Sequence, residues 1–390
     1  MRYDFDKILD RTGTASVKCD LCELRFGLKD VIPMWVADMD IPVPPAVVDA
    51  VRKRAGHPAY GYTLYPESFW QAIAGWLKDR HDWEVRRGWL AGSPGVIPAF
   101  NLCIRAFTPP GGKVLIQTPV YHPFYSAIER NGRRIVRNPL KLEEGRYVMD
   151  LDGLEAALDA ETRVFLFCSP HNPVGRVWTR EELARLGEIL ARRDLIVISD
   201  EIHSDLVFGG RRHVPLATMA PALADRTITL MAPSKTFNLA GLMTSYVVAA
   251  NPDLLKAFEA ELRSVGLDEG NLFGIVALEA AYRHGADWLD QLLSYLEGNM
   301  ALAADFFPTR APGIRFLPPE GTYLALLDCR DLGLPQEALD DFFLRKARVF
   351  LDPGTKFGRE LEGFERMNLA CPRPVLREAL ERIARAVDAL

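Results

Sequence analysis

The sequence lacks an excess of positive charge and has no long apolar run. Lys and Arg total 47 against 52 Asp and Glu, a net charge of −5, so no basic surface for nucleic acid is expected. No uncharged apolar stretch approaches the roughly 18 residues that indicate a membrane span. Charges in residues 1–7 occupy the place where a signal peptide would be apolar. We therefore expect a cytoplasmic enzyme that binds neither nucleic acid nor a membrane.

Cysteine is scarce and scattered, with six residues in the chain of 390. Only Cys19 and Cys22 have the spacing of half a zinc site or of a redox pair. No second pair follows at a suitable distance, and none of the seven histidines forms a His-x-x-x-His pattern. We expect free thiols and no metal site.

Short apolar runs alternate with amphipathic stretches through the middle of the chain. The runs are apolar at consecutive positions, which is typical of strands buried on both faces. Thr179 and Glu182 form the pattern of a capping box at the start of a helix predicted over residues 179–193. Strands that alternate with helices indicate βαβ units and a mostly parallel sheet, so the fold class is α/β. We predict strands at residues 113–117, 163–168, 195–199, 227–231 and 246–250.

The pattern changes near residue 285. Helical patterns at 288–307 and 336–346 flank an extended stretch at 322–328, and a last amphipathic helix begins near residue 373. We expect two domains with a cleft between them, because the length exceeds that of a single hydrophobic core. The larger would span residues 46–284. A smaller α+β domain would combine residues 1–45 with 285–390.

Polar side chains follow three of the predicted strands. Asn172 comes after the second strand, Asp200 and then His203 after the third, and Lys235 after the fourth. Each alone has an ordinary explanation: a turn former, a helix cap, a hydrogen-bonded loop histidine or an exposed lysine. Ligands in open α/β sheets bind at the carboxyl ends of the strands. Convergence at that edge therefore indicates a binding site.

These residue types suit pyridoxal phosphate. A lysine amine holds its aldehyde as a Schiff base, and an aspartate supports the protonated pyridine nitrogen. An amide or an imidazole can hydrogen-bond the ring oxygen. The turn at Gly95 and Val96 leads into an apolar helix whose first amides could hold the phosphate. Tyr121, after the first strand, could stack on the ring.

Several motifs, in order, resemble those of pyridoxal-phosphate enzymes with the aspartate aminotransferase fold, fold type I, and among them the MalY/PatB-like cystathionine β-lyases. The resemblance covers essentially the whole chain and implies a central, mostly parallel sheet between helices. The matching stretches are WVADMD (35–40), YGY (60–62), SPHNPVGRVW (169–178), SDEIHSD (199–205), APSKTFN (232–238) and RMNLACPR (366–373).

The resemblance implies the role of each position in cofactor binding. Lys235 matches the Schiff-base lysine, and Asp200 matches the partner of the pyridinium nitrogen. Asn172 matches the residue bonded to the ring oxygen, and Tyr121 matches the stacking aromatic. His203 stands where many relatives have a tyrosine that bonds the ring oxygen.

The resemblance also assigns residues to the substrate and to the phosphate. Arg373 matches the arginine that binds the substrate α-carboxylate, and Tyr62 matches a tyrosine given across a homodimer interface to the neighbouring subunit's phosphate. Many aminotransferases carry an arginine and a hydroxyl where this chain has Met243 and Ala232. Phosphate binding would therefore depend on the Gly95 and Val96 amides, Ser234 and Tyr62.

The expected activity is β-elimination from L-cystathionine or a related cysteine S-conjugate, giving a thiol, pyruvate and ammonia. Lys235 would act as the general base at Cα. An aminotransferase with the same lysine, aspartate and arginine is the alternative, and a retired pyridoxal-phosphate-binding interaction protein is a third. Asp38 and Asp40 either shape the entrance of the cleft or anchor the N-terminal segment.

Overall fold

The computed structural model describes residues 2–390. The strands are β1 Ile32–Pro33, β2 Leu90–Ser93, β3 Lys113–Thr118, β4 Arg134–Pro139, β5 Lys141–Glu143, β6 Arg146–Val148, β7 Thr162–Cys168, β8 Ile196–Asp200, β9 Thr227–Met231, β10 Ser245–Val248, β11 Arg315–Leu317, β12 Leu324–Asp328, β13 Val349–Phe350, β14 Asp352–Pro353 and β15 Phe364–Asn368. The α-helices are α1 Asp20–Phe26, α2 Pro45–Ala55, α3 Glu67–His81, α4 Val96–Phe107, α5 Pro123–Arg130, α6 Leu151–Ala157, α7 Arg180–Ala191, α8 Pro221–Ala224, α9 Pro233–Thr236, α10 Pro252–Ser264, α11 Leu272–His284, α12 Ala286–Arg310, α13 Gln336–Asp341 and α14 Arg373–Val387.

The central sheet has seven strands in the order β2-β10-β9-β8-β7-β3-β4. Six of them run in one direction, and β10 runs antiparallel to both of its neighbours. All five strands predicted from apolar runs are present, with ends that differ by at most two residues. The predicted α/β class and mostly parallel sheet are confirmed.

Helices pack on the central sheet through their apolar residues. Thr179 caps α7: its side chain accepts from the Glu182 amide, and the Glu182 side chain returns a bond to the Thr179 amide. Helix α4 begins directly after Gly95 and packs across β7, β8 and β9. The amino-terminal end of α4 therefore lies near the carboxyl ends of those strands.

A second sheet lies in the last third of the chain, with the antiparallel order β11-β12-β15-β14. Strand β1 pairs in parallel with β13, so the N-terminal segment attaches to this C-terminal part. We propose that residues 46–284 form the larger domain, as predicted, and that residues 1–45 and 285–390 together form the smaller one. The separate sheets and the β1–β13 pairing support this division. Within the described residues, no helix is long and apolar enough to cross a membrane.

Candidate active site

A cavity of about 170 Å³ lies at the carboxyl ends of the central strands. Strands β7, β8 and β9 are neighbours in the sheet, and the polar residues that follow them meet in this cavity. Its lining includes eight of the predicted site residues: Gly95, Val96, Tyr121, Asn172, Asp200, His203, Ser234 and Lys235. A larger cavity of about 890 Å³, beside Trp35 and Asp352, contains none of them.

Lys235 lies in the short helix α9, directly after β9. Its Nζ donates a hydrogen bond of 2.6 Å to the carbonyl oxygen of Ala37, so the N-terminal segment closes this side of the cavity. Burial lowers the pKa of Lys235 to about 8, against the opposing charge of Asp38. A lysine in this state supplies free amine near neutral pH, as nucleophilic and general-base chemistry requires.

Asp200 is the last residue of β8 and is buried. Its Oδ1 accepts a hydrogen bond of 3.2 Å from the Ile202 amide. Burial raises the pKa of Asp200 to about 7, and the Ile202 amide and the charge of Lys235 oppose that rise. A buried carboxyl with one amide donor is suited to accept a further cationic N–H, which would favour its ionised form.

Asn172 is hydrogen-bonded to Arg366, an arginine to which the sequence analysis gave no role. Arg366, in β15, is buried, and its Nη1 donates 3.0 Å to Asn172 Oδ1. Its Nη2 donates 2.8 Å to the Trp35 carbonyl and also bonds Asp352, while its Nε has no partner among the described residues. The guanidinium lies 4.4 Å from the ring centre of Phe357. Arg366 is therefore held rigidly beside the cavity.

Arg373, the predicted carboxylate-binding residue, is not brought to this cavity. It opens α14, where its Nε donates 3.1 Å to Asn299 Oδ1 and its Nη2 donates 3.1 Å to the Tyr295 carbonyl. Its guanidinium also stacks over the Tyr295 ring at 4.5 Å. These contacts join α14 to α12. The signal for Arg366 was present in the sequence, because an arginine inside the buried strand β15 requires partners.

His203 and Tyr121 complete the wall of the cavity. His203 is buried, its Nδ1 has no partner among the described residues, and burial lowers its pKa well below the usual value. Tyr121 is half-buried, and burial raises its pKa to about 12. A neutral imidazole and a neutral phenol therefore face the cavity.

The lining of the cavity also includes Gly95, Val96 and Ser234. Gly95 precedes the twelve-residue helix α4, whose first amides lack partners within the helix. Tyr62 is not part of the cavity in this chain, since it is 96% exposed.

These residues fit pyridoxal phosphate on grounds of their chemistry. The cavity offers a lysine amine, a buried carboxyl, an aromatic ring, a helix amino-terminal end and a buried imidazole nitrogen without a partner. They match the aldehyde, the pyridine nitrogen, the ring face, the phosphate and the ring oxygen respectively.

Comparisons with known proteins agree with this fit. The sequence model of the family aminotransferase class I and II matches residues 29–383 of this chain. The chain is 43% identical over 388 residues to cystathionine beta-lyase PatB of Bacillus subtilis, covering 99% of this chain and 100% of that protein. The structure of cystalysin from Treponema denticola, which contains pyridoxal 5′-phosphate, matches with a TM-score of 0.97, 38% identity and complete coverage of both chains. The PLP-bound C-S lyase of Staphylococcus hominis matches with a TM-score of 0.92 and 34% identity, covering 99% of this chain and 98% of that one.

These matches span nearly the whole chain and confirm the predicted fold. The sequence motifs, the site residues gathered in one cavity and the matched relatives agree. The chain belongs to the aminotransferase class I and II family.

Proposed function

We propose that this protein is a pyridoxal-phosphate-dependent carbon–sulfur β-lyase. Its substrates are L-cystathionine or related cysteine S-conjugates, which it converts with water to a thiol, pyruvate and ammonia. The observation that carries the proposal is the cavity in which Lys235, with a lowered pKa, faces Asp200 and Asn172. The resemblance to enzymes named cystathionine beta-lyase and C-S lyase favours elimination over transamination.

The residues around the cavity hold the cofactor. Bound pyridoxal phosphate supplies an electron sink that acidifies the substrate Cα–H bond. Asp200 binds the pyridine nitrogen, Tyr121 stacks on the ring, and Asn172 and His203 bond its oxygen. The amides of Gly95 and Val96 hold the phosphate together with the hydroxyl of Ser234.

Arg366 binds the substrate α-carboxylate, in place of the predicted Arg373. Its Nη1 is already directed at Asn172, and its bonds to Asp352 and the Trp35 carbonyl fix the plane of the guanidinium. The Nε, which has no partner among the described residues, and the second N–H of Nη1 remain to donate charged hydrogen bonds to the carboxylate. The substrate carboxylate and amine are then held in one orientation toward Lys235.

Lys235 moves the proton that starts the reaction. Its neutral amine accepts the Cα proton at Nζ, and electrons from the broken C–H bond lead to expulsion of sulfur from Cβ. The sulfur leaves as a thiolate and takes up a proton. The three-carbon fragment gains water and loses ammonia, giving pyruvate, so the reaction needs no oxidant and no keto acid.

The proposal is tested by incubating the purified protein, loaded with pyridoxal phosphate, with L-cystathionine and no keto acid. We expect equal amounts of thiol and pyruvate, and we expect Lys235→Ala to remove both this turnover and the visible absorbance of the bound cofactor. Product that forms only when a keto acid is added would establish the aminotransferase instead. Retained lyase turnover in Lys235→Ala would contradict the assignment of the lysine.

We further propose that the protein acts as a homodimer in which Tyr62 reaches the phosphate in the neighbouring subunit. The support is the position of Tyr62 in the YGY motif together with its nearly complete exposure, alongside Tyr60 and Leu64. A cytoplasmic location remains a prediction from the sequence.

A further inference from the structure

Four charged side chains from the first forty residues form one ion cluster. Arg11 donates to Asp38 from both of its terminal nitrogens, at 2.9 and 2.8 Å, and to Asp40 at 2.6 Å. Lys18 donates to Asp40 Oδ2 at 2.6 Å and to the Asp38 carbonyl at 3.2 Å. We call Arg11, Lys18, Asp38 and Asp40 the N-terminal ion cluster.

This cluster differs from an ordinary surface ion pair. The Lys18 side chain is only 1% exposed, and those of Asp38 and Asp40 are 20% and 17% exposed. Burial opposes ionisation of Asp38, but the Arg11 hydrogen bonds and the charges of Lys18, Arg11 and Lys235 keep its pKa below the usual value. Two carboxylates are thus matched by two cations, and breaking one partner leaves a half-buried charge without compensation.

The segment that contains both aspartates is also fixed from two other elements. The Asn238 side chain, three residues after Lys235, exchanges two hydrogen bonds with the Met39 backbone, at 3.0 and 2.9 Å. The side-chain Nδ2 of Asn368, in β15, donates one hydrogen bond of 2.6 Å to the Val36 carbonyl and another of 2.6 Å to the Asp38 carbonyl. The backbone around Ala37 is therefore held from three sides.

The fixed carbonyl of Ala37 lies at the reacting amine. It accepts the 2.6 Å bond from Lys235 Nζ and a 2.9 Å bond from the Tyr323 hydroxyl. The cluster itself does not line the cavity, so its effect on the lysine passes through this one carbonyl and the charge of Asp38.

We propose that the N-terminal ion cluster is a positioning device that fixes the Ala37 carbonyl as the acceptor orienting the Lys235 amine. This inference rests on the proposed function, because orientation matters most when the amine is free to accept the Cα proton. The ammonium formed at Nζ then donates to the Ala37 carbonyl, which holds the proton in place. The four cluster members are positioning residues, since none of them touches the reacting atoms.

The test compares Arg11→Met with Arg382→Met. Arg382 is a matched control because its side chain has an exposure similar to that of Arg11, 19% against 22%. It also pairs with an aspartate of the N-terminal segment, Asp30, at an N–O distance of 3.0 Å, and neither residue lines the cavity. We expect Arg11→Met to lower kcat by about 10- to 100-fold with little change in KM, as a small misplacement of a reacting group does. Arg11→Lys, which keeps the charge but loses the two-pronged geometry, should recover part of kcat.

A second readout does not depend on activity. Hydrogen exchange of the holoenzyme should show faster exchange at residues 35–41 in Arg11→Met and wild-type exchange there in Arg382→Met. Should Arg11→Met not fold, Asp40→Asn, which keeps the shape of the side chain, serves as the second variant.

The outcomes separate this inference from the proposed function. Wild-type kcat in folded Arg11→Met, or an equal loss in Arg382→Met, would overturn the positioning role. A wild-type protein without lyase turnover would overturn the proposed function, and the exchange measurement would then still decide whether Arg11 fixes residues 35–41.

Discussion

At the scale of single residues, two arginines in one motif have different surroundings. Arg366 and Arg373 lie seven positions apart, and the resemblance placed the carboxylate contact at Arg373. Motif order does not show which way a side chain points. The strand β15 directs Arg366 toward Asn172, whereas the first turn of α14 directs Arg373 toward Asn299 and Tyr295. The residues on the three strand ends could be predicted, because parallel strands share an edge.

We predict that Arg366→Met lowers kcat/KM by about 100-fold, mainly through KM, because charged hydrogen bonds to the substrate carboxylate are lost. Arg366→Lys should recover only part of it, since an ammonium keeps the charge but has too few donors to bond Asn172, the Trp35 carbonyl, Asp352 and the substrate together. Arg373→Met is the matched control and should stay within about threefold of wild type. Steady-state kinetics on L-cystathionine measures all three, and a larger loss in Arg373→Met would restore the original assignment.

Lys235 also makes a pH-dependent contribution to stability in protein freed of cofactor. Burial lowers the pKa of Lys235 from 10.5 to about 8. Between these pH values the unfolded chain binds more protons at this lysine than the folded chain does. The free energy of unfolding should therefore rise with pH over this window, by on the order of 3 kcal/mol from this group.

The comparison that isolates this contribution is Lys235→Met. Urea unfolding of both proteins at several pH values should show the rise in wild type relative to the variant. Parallel curves for the two proteins would show that the folded amine titrates as in water.

At the scale of elements, the apolar runs predicted the strands well but not all of their directions. β10 was predicted as a buried strand, and it is one, but it runs antiparallel to its neighbours. Buried strands have the same apolar composition in either direction, so the sequence held no signal for this reversal. The start of helix α7 could be predicted from the sequence, because Thr179 and Glu182 form a capping box there.

Contacts between distant elements were also invisible in the sequence. Asp205 contacts both α3 and α9, the short helix that carries Lys235. It accepts hydrogen bonds from Trp76 at 3.2 Å, His81 at 3.0 Å and Thr236 at 2.7 Å. These partners are 31 to 129 positions away in the chain.

We predict that Asp205→Ala lowers the free energy of unfolding by about 3 kcal/mol, because it leaves three buried donors on two elements, α3 and α9, without an acceptor. Glu155→Ala is a suitable control, since its pairing with Arg192 is exposed and should contribute less than about 0.5 kcal/mol. Urea unfolding with bound cofactor measures both. A change in Asp205→Ala no larger than in the control would show that these donors find other partners.

At the scale of the whole molecule, the sequence predicted an α/β body with a second, smaller unit drawn from both chain ends. The β1–β13 pair shows how the N-terminal segment reaches the C-terminal part. Parallel pairing over a separation of more than 300 residues has no local signal. A single chain does not show which residues a second subunit would contribute to its site. The role of Tyr62 at the neighbouring phosphate is therefore a proposal.

Hybrid dimers test that proposal. The Lys235→Ala dimer is expected to lack lyase activity. The Tyr62→Ala dimer is expected to have reduced lyase activity when the cofactor concentration is limiting. If Tyr62 acts across the interface, a hybrid of the two has one intact site and one doubly altered site. Equal amounts of both subunits, unfolded and refolded together, should then give about a quarter of wild-type activity under statistical assembly. No recovery above the separate variants would place Tyr62 in its own subunit's site or outside any site.

The central claim is that this protein eliminates sulfur from a cysteine thioether without an amino-group acceptor. The most direct measurement follows thiol and pyruvate together, in holoenzyme given L-cystathionine and no keto acid. The account predicts that both appear in equal amounts over many turnovers and that Lys235→Ala produces neither. A single stoichiometric burst that resumes only when a keto acid is added would contradict it.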